Sequence, residues 1–221
     1  MSEPLRILFF ADASSVHTRR WVASMAERGA EAIVITRQPA EVPGASEVIT
    51  IAPGQDKGSW FKALPEVRRV ASRVAATFKP HLVHGHYVTS YGLWAAACGL
   101  RVPRVLTAWG SDILVTPRES RLMRLIVRWS LRRADLITAD SIEMVDEIAS
   151  YHPSAPVHQI LWGADTAKFL PAPPAPDFEV VSLRVWEPNY NIDLIIEAFA
   201  RFVSLRPHSQ ARLHLLGGGP L

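Results

Sequence analysis

Short, unbroken apolar runs of strand length alternate along this chain with stretches whose apolar residues recur every three or four positions. Residues 5–11 (LRILFFA) form the first run, too short for a helix and suited to a strand buried on both faces. A polar turn over residues 12–17 follows. Residues 18–28 then set Trp21, Val22, Met25 and Ala26 at helical spacing before Gly29 ends the helix. Residues 31–36 (EAIVIT) give the second strand, and this βαβ opening predicts a parallel sheet with right-handed crossovers. Prolines and glycines interrupt residues 37–58, where only 47–52 (EVITIA) reads as a strand.

Residues 60–78 read as one long amphipathic helix on Phe61, Leu64, Val67, Val70, Ala71, Val74 and Phe78. Two strands follow, one ending in His84-Gly85-His86 and one over residues 104–108, with a helix over 91–100 between them. Residues 118–133 predict a further helix, 135–139 a strand, 144–149 a helix capped by Ser141, and 157–162 a last strand. The pattern then breaks: residues 166–177 hold Pro171, Pro173, Pro174 and Pro176, which suit an extended linker. Beyond it, strand 178–183, helix 192–205 and strand 211–216 begin a new βαβ unit. One such unit is small for an independent core, so a truncated second domain is expected.

Composition narrows the class. The 221 residues are 48% hydrophobic and 20% charged with a net charge of +3, ordinary for an α/β protein and uninformative about partners by itself. No apolar run is long enough to cross a bilayer, and the N-terminus enters a strand pattern instead of a signal peptide. The single Cys98 cannot form an internal disulfide, which agrees with a reducing, cytoplasmic setting and a buried, inert thiol.

The chemistry gathers where two strands stop. His84-Gly85-His86 ends one, and Trp109-Gly110-Ser111-Asp112 follows the next; ligands of open α/β sheets bind outside the carboxyl ends of strands. A hydroxyl nucleophile needs an acceptor for its proton and donors that hold it, and an imidazole with a carboxylate supplies both. Against this, His84 and His86 are read as lying on alternate faces of the strand, one of them an ordinary buried histidine. A zinc site ranks below either reading, because no cysteine or third ligand stands nearby.

With these residues in view, the sequence resembles the family 4 glycosyltransferases of GT-B architecture. The pieces that carry the resemblance are SVHTRRWVASMAERGAEAIVIT, PHLVHGHY, LTAWGSD, RRADLITADS, ILWGADTAKF, SLRVWEPNYNIDLIIEAFA and HLLGGGP, in the family's order. The resemblance implies an α/β fold: a Rossmann-like parallel sheet with helices on both faces over residues 1–165, binding the acceptor, a proline-rich linker over 166–177, and an incomplete βαβ unit at 178–221 that starts the nucleotide-sugar domain.

It also implies roles. His86 and Asp112 correspond to catalytic-cleft residues, and Ser14, Ser15, His17 and Trp109 to the acceptor side. The turn over residues 12–17 stands where many members carry a glycine-rich loop, which lets backbone approach an anion; here Ser14, Ser15 and His17 offer hydrogen bonds instead, and capping of the helix by Ser14 or Ser15 is the plainer role. On the donor side the family's arginine and lysine fall at Val185 and Tyr190, and Asn191 stands in place of a glycine. Arg184, one residue early, is the donor-phosphate candidate, with Gly217 and Gly219 matching the family's glycines, although a triple glycine also makes a plain turn. The family's paired glutamates have no counterpart up to Leu221, so this chain alone is expected not to catalyse transfer.

The expected activity of the whole protein is therefore retaining transfer of a sugar, without metal or other cofactor, from a nucleotide-sugar donor to a glycan or lipid-linked acceptor, as in polysaccharide biosynthesis. Two alternatives are a noncatalytic sugar- or anion-binding module, which the missing glycines and lysine favour, and a nucleotide-sugar epimerase. Arginines at 118, 121, 124, 128, 132 and 133 beside Ile126 and Trp129 make an anionic leaflet a candidate surface for peripheral attachment, against a solvated face over a packed stripe. Nucleic acid is not expected, because exposed aromatics do not interleave these arginines.

Overall fold

The computed structural model describes residues 3–51, 59–173, 177–207 and 210–220. The chain divides after Gly163 into two compact units, residues 1–163 and 164–221.

In the first unit, strands β1 (Arg6–Phe10), β2 (Glu31–Thr36), β3 (Ala45–Thr50), β4 (Leu82–His86), β5 (Arg104–Thr107), β6 (Leu136–Ala139) and β7 (Val157–Gln159) form one sheet. Its order is β3-β2-β1-β4-β5-β6-β7, and every neighbouring pair is parallel. The crossovers run through α1 (Val16–Glu27), α2 (Ser59–Lys62), α3 (Leu64–Phe78), α4 (Tyr91–Ala97), α5 (Ser111–Leu114), α6 (Thr116–Glu119), α7 (Arg121–Leu131) and α8 (Ile142–Ala149). The expected parallel α/β architecture is what the chain adopts. Leu8, Phe10, Ile35, Val83, Leu106 and Ile137 pack on one face beneath α3, α4, α7 and α8, while Ile7, Phe9 and Val34 pack on the other with Val22 of α1. Burial on both faces explains the unbroken apolar runs.

Several boundaries differ from the sequence pattern. The helix expected over 60–78 is two helices, because Pro65 sits in the first turn of α3 and starts it afresh. The helix expected over 118–133 breaks at Ser120, whose backbone is extended and whose side chain accepts from Met123 N. The final strand of this sheet stops at Gln159 instead of residue 162. The segment after Trp109 forms the short α5, which carries too few residues to show a helical period. Ala52, expected in the third strand, lies outside the described residues, as do Pro174 and Pro176 of the linker.

The second unit has a two-stranded parallel sheet, β8 (Glu179–Ser182) with β9 (Arg212–Leu215), and the helix α9 (Ile192–Leu205) between them. Phe178, Val181, Leu194, Ile196 and Leu205 are exposed, and Ile192 is its one hydrophobic residue among those described that is buried. Among the described residues no helix is long and apolar enough to cross a membrane.

Candidate functional site

Phe9 of β1 pairs with His84 of β4, so His84 shares the α1 face of the sheet. His86 lies on that same face, since residues two apart on a strand point the same way. The expectation of alternate faces is thus corrected: the two rings sit 4.6 Å apart, and both meet Phe9 and Trp21. His84 Nε2 lies 2.7 Å from Thr107 Oγ1, which lies 2.7 Å from Thr138 Oγ1. His86 has 0% exposure, and neither of its ring nitrogens has a hydrogen-bond partner. Burial lowers the basicity of both rings, His84 to a pKa of about 3 and His86 well below its ordinary value, with repulsion from His84 and His17 adding to the second. Both imidazoles are therefore neutral near pH 7.

Above His86 opens a cavity of about 560 Å³ at the carboxyl edge of the sheet. Asp12 and Ser15 line it after β1, Arg37 and Gln38 after β2, Tyr87, Ser90 and Tyr91 after β4, and Trp109 after β5, with Trp60 from α2 and His86 completing the wall. β1 and β4 are neighbours although β2 and β3 separate them in sequence; at this reversal of strand order the connections diverge and leave a crevice. Trp109 stands 5.4 Å from the His86 ring, and its Nε1 is buried without a partner. Unpaired buried donors and acceptors cost about 1–3 kcal/mol each, and the two His86 nitrogens and Trp109 Nε1 gather here.

Asp112 does not line this cavity. It is buried at 0% exposure, and its carboxylate accepts from Val88 N at 2.6 Å, Trp109 N at 3.0 Å and Gly110 N at 2.9 Å. Burial raises its pKa to about 6 while the amides pull the other way. The geometry makes Asp112 a clasp between the turns that follow β4 and β5. That clasp holds Tyr87 at φ 61°, a left-handed conformation costing a non-glycine residue about 1 kcal/mol. Gly85 helps from below, since a Cβ there would strike Ala95 and Gly92 of α4.

The other acceptor-side residues divide. Ser15 caps α1 by accepting from His17 N at 3.2 Å and also lines the cavity. Ser14 is exposed and donates its amide and hydroxyl to Asp12 Oδ1, which folds the turn on itself. His17 packs at 4.3 Å on Trp162 and 5.4 Å from Trp109. It lines a separate cavity of about 210 Å³ with Arg20, Trp21 and Trp162.

The family model described as glycosyl transferase 4-like matches residues 6–141, more than half of the chain. The chain belongs to this family. No curated protein sequence matches it. Among solved structures, the chain is similar to sucrose-phosphate synthase from Thermosynechococcus elongatus, with a TM-score of 0.76 and 16% identity over 98% of this chain and 63% of that one. It is also similar to HepE from Anabaena, solved with UDP and glucose, at a TM-score of 0.69 and 18% identity over 97% of this chain and 70% of that one. A putative UDP-N-acetylglucosamine 2-epimerase from Listeria monocytogenes gives 0.62 and 10%, over 100% of this chain and 70% of that one. At these identities the likeness shows the Rossmann-like fold, and the chain spans about two thirds of each of those proteins.

In this glycosyl transferase 4-like chain the donor-side candidates lie in the second unit. Arg184 rests 5.5 Å from the Tyr190 ring centroid. A Cβ on Gly217 would collide with Arg184 O and one on Gly219 with Trp186 O, so the bare backbone lets the two strand-end segments touch. Among the described residues no three of His, Cys, Asp and Glu gather closely enough to hold a metal ion. Sequence reasoning passed over Arg37, Trp60, Tyr87 and Tyr91. Arg37 directly follows β2, so the strand-end rule used for His86 would have found it; Trp60 reaches the cavity from a helix that the pattern merged into α3.

Proposed function

We propose that the first unit is the acceptor-binding half of a retaining, metal-independent glycosyltransferase that uses a nucleotide-sugar donor. The observation that carries this reading is the fully buried His86 imidazole, with both nitrogens unpaired, in a cavity at the strand-order reversal. A neutral imidazole accepts a hydrogen bond at one nitrogen and donates at the other, which suits a sugar hydroxyl. In the transfer the acceptor oxygen bonds to the anomeric carbon, the bond from that carbon to the diphosphate breaks, and the departing diphosphate takes the proton. The low basicity of His86 makes it an orienting partner for the hydroxyl. Asp112 acts through the loops it clasps, and Trp109 walls the acceptor. Arg184, Gly217 and Gly219 are assigned to the donor side, and UDP in the HepE structure supports a uridine nucleotide.

Incubation of the whole protein, not of this chain alone, with UDP-sugars and hydroxyl acceptors, followed by mass spectrometry, tests this reading. Growth of the acceptor by one glycosyl mass is expected; acceptor-independent conversion of the UDP-sugar to its epimer would overturn it in favour of an epimerase.

A peripheral contact with an anionic leaflet, where lipid-linked acceptors reside, belongs to the same reading. Leu122 and Leu125 are 58% and 62% exposed, beside an apolar groove of about 290 Å³ lined by Phe61, Leu64, Leu93, Leu125, Ile126 and Trp129. Arg121, Arg124, Arg128 and Arg132 are exposed on α7, and each surface arginine near such a leaflet contributes about 1 kcal/mol. Salt-sensitive co-sedimentation with phosphatidylserine vesicles is expected; equal recovery with neutral vesicles would remove it.

A further inference from the structure

We infer that the acceptor bound in the β1–β4 cavity is anionic, a sugar carrying a phosphate or carboxylate, and that Arg37 is the residue that reads its charge. This rests on the proposed acceptor role of that cavity and adds the class of acceptor.

Arg37 is the one arginine in the cavity wall and is only 8% exposed. Arginine is rarely buried without a partner, because removing its charge from water costs several kcal/mol unless an anion or good hydrogen bonds compensate. Among the described residues its guanidinium makes no ion pair and no side-chain hydrogen bond; it lies 4.4 Å from the centroid of the Trp60 ring. The contact with the Trp60 ring holds the guanidinium in place and leaves its N–H groups available for the two oxygens of a carboxylate or phosphate. The backbone is fixed as well: Arg37 N donates to Tyr91 Oη at 3.1 Å, and Thr36 Oγ1 accepts from Ala13 N at 3.1 Å. Asp12, the acidic residue in the cavity wall, has its Oδ1 engaged by Ser14, and forms no ion pair with Arg37.

The sheet sets the backbone spacing between the Arg37 and His86 positions. Phe10 pairs with both Ile35 and Gly85, so Thr36 and His86 stand level on either side of β1, with Arg37 one residue further out. Two strand spacings separate them, about 10 Å. A sugar with a charged substituent reaches across these two strand spacings, its hydroxyl toward His86 and its anion on Arg37. A neutral sugar would leave the buried guanidinium unpaired.

Binding of glucose, glucuronate and glucose 6-phosphate to the 221-residue chain, followed by ligand-observed NMR and tryptophan fluorescence, tests this, with inorganic phosphate and UDP as separate arms. Glucuronate or glucose 6-phosphate should bind about tenfold or more tightly than glucose, and whichever binds tighter tells carboxylate from phosphate. The preference should shrink with added salt, vanish in Arg37→Gln and survive in part in Arg37→Lys, which keeps the charge should the glutamine variant fold poorly. Equal binding of neutral and charged sugars, or an unchanged preference in Arg37→Gln, overturns the inference and leaves the acceptor site standing. Binding of phosphate or UDP as tight as that of the charged sugars also overturns it. If no sugar binds at all, the acceptor reading fails as well.

Discussion

Two layers of the same strand, one turn of pleat apart, carry the same side chain in opposite states. In the lower layer His84 joins Thr107 and Thr138 in a chain of hydrogen bonds. In the upper layer His86 is as deeply buried and has nothing to bond. Burial alone therefore does not distinguish the two histidines; the difference is whether the protein itself supplies the ring a hydrogen-bond partner. The layer that the protein leaves incomplete is the one facing the cavity.

The comparison breaks most visibly where the upper layer is fastened. Asp112→Ala strands three backbone amides, that of Val88 buried, and releases the turns after β4 and β5, so a loss of about 3 kcal/mol or more is expected in denaturant unfolding. A loss below about 0.5 kcal/mol would show that the clasp carries nothing.

His86→Phe sharpens it. The substitution keeps an aromatic ring and removes two unpaired nitrogens, so stability should hold or rise, while kcat/KM for sugar transfer by the whole protein should fall about a hundredfold or more. The same substitution at His84 should do the reverse, costing stability by freeing Thr107 and leaving transfer within about threefold.

Acid titration separates the two histidines from Asp112 by sign. Each buried histidine is neutral in the native state but protonated in the unfolded chain below about pH 6.5. Their stability is present above that pH and is lost on acidification, by about 1.4 kcal/mol per unit for each ring. Asp112 opposes this: its folded pKa of about 6 lies above the ordinary carboxylate value of 3.8, so it adds stability at low pH that is lost as the pH rises through that window. Between these limits the unfolded chain takes up two protons on the rings and the folded chain one on the carboxyl. The three groups together should lower stability by about 1.4 kcal/mol per unit of acidification. His84→Phe should flatten that slope and Asp112→Asn should double it, as read from urea midpoints across the range.

The smallest effect belongs to Thr107→Val, which cuts the lower chain at its middle without changing shape. A cost of about 1–2 kcal/mol is expected, with sugar binding unchanged. A larger loss of binding than of stability would show that the two layers are one site.

Periodicity made the sheet and most helices legible, because strands buried on both faces and helices packed on them leave strong patterns. It missed what single residues decide: Pro65 and Ser120 each divide a continuous apolar stripe by starting a new helix. At the site, the two polar strand ends were visible as His86 and Trp109. The role of Asp112 was not, because a carboxylate that faces a cleft and one that grips backbone amides look alike in sequence. Arg37 was hidden for a related reason: its significance lies in lacking a partner, and only packed neighbours reveal that.

Histidine-ring nitrogen NMR of the 221-residue chain, titrated with glucose and with glucose 6-phosphate, tests the central claim most directly. The account predicts that the His86 nitrogens shift as a hydroxyl bonds to them, while those of His84 keep their positions. Saturable sugar binding with the His86 signals unmoved would contradict it.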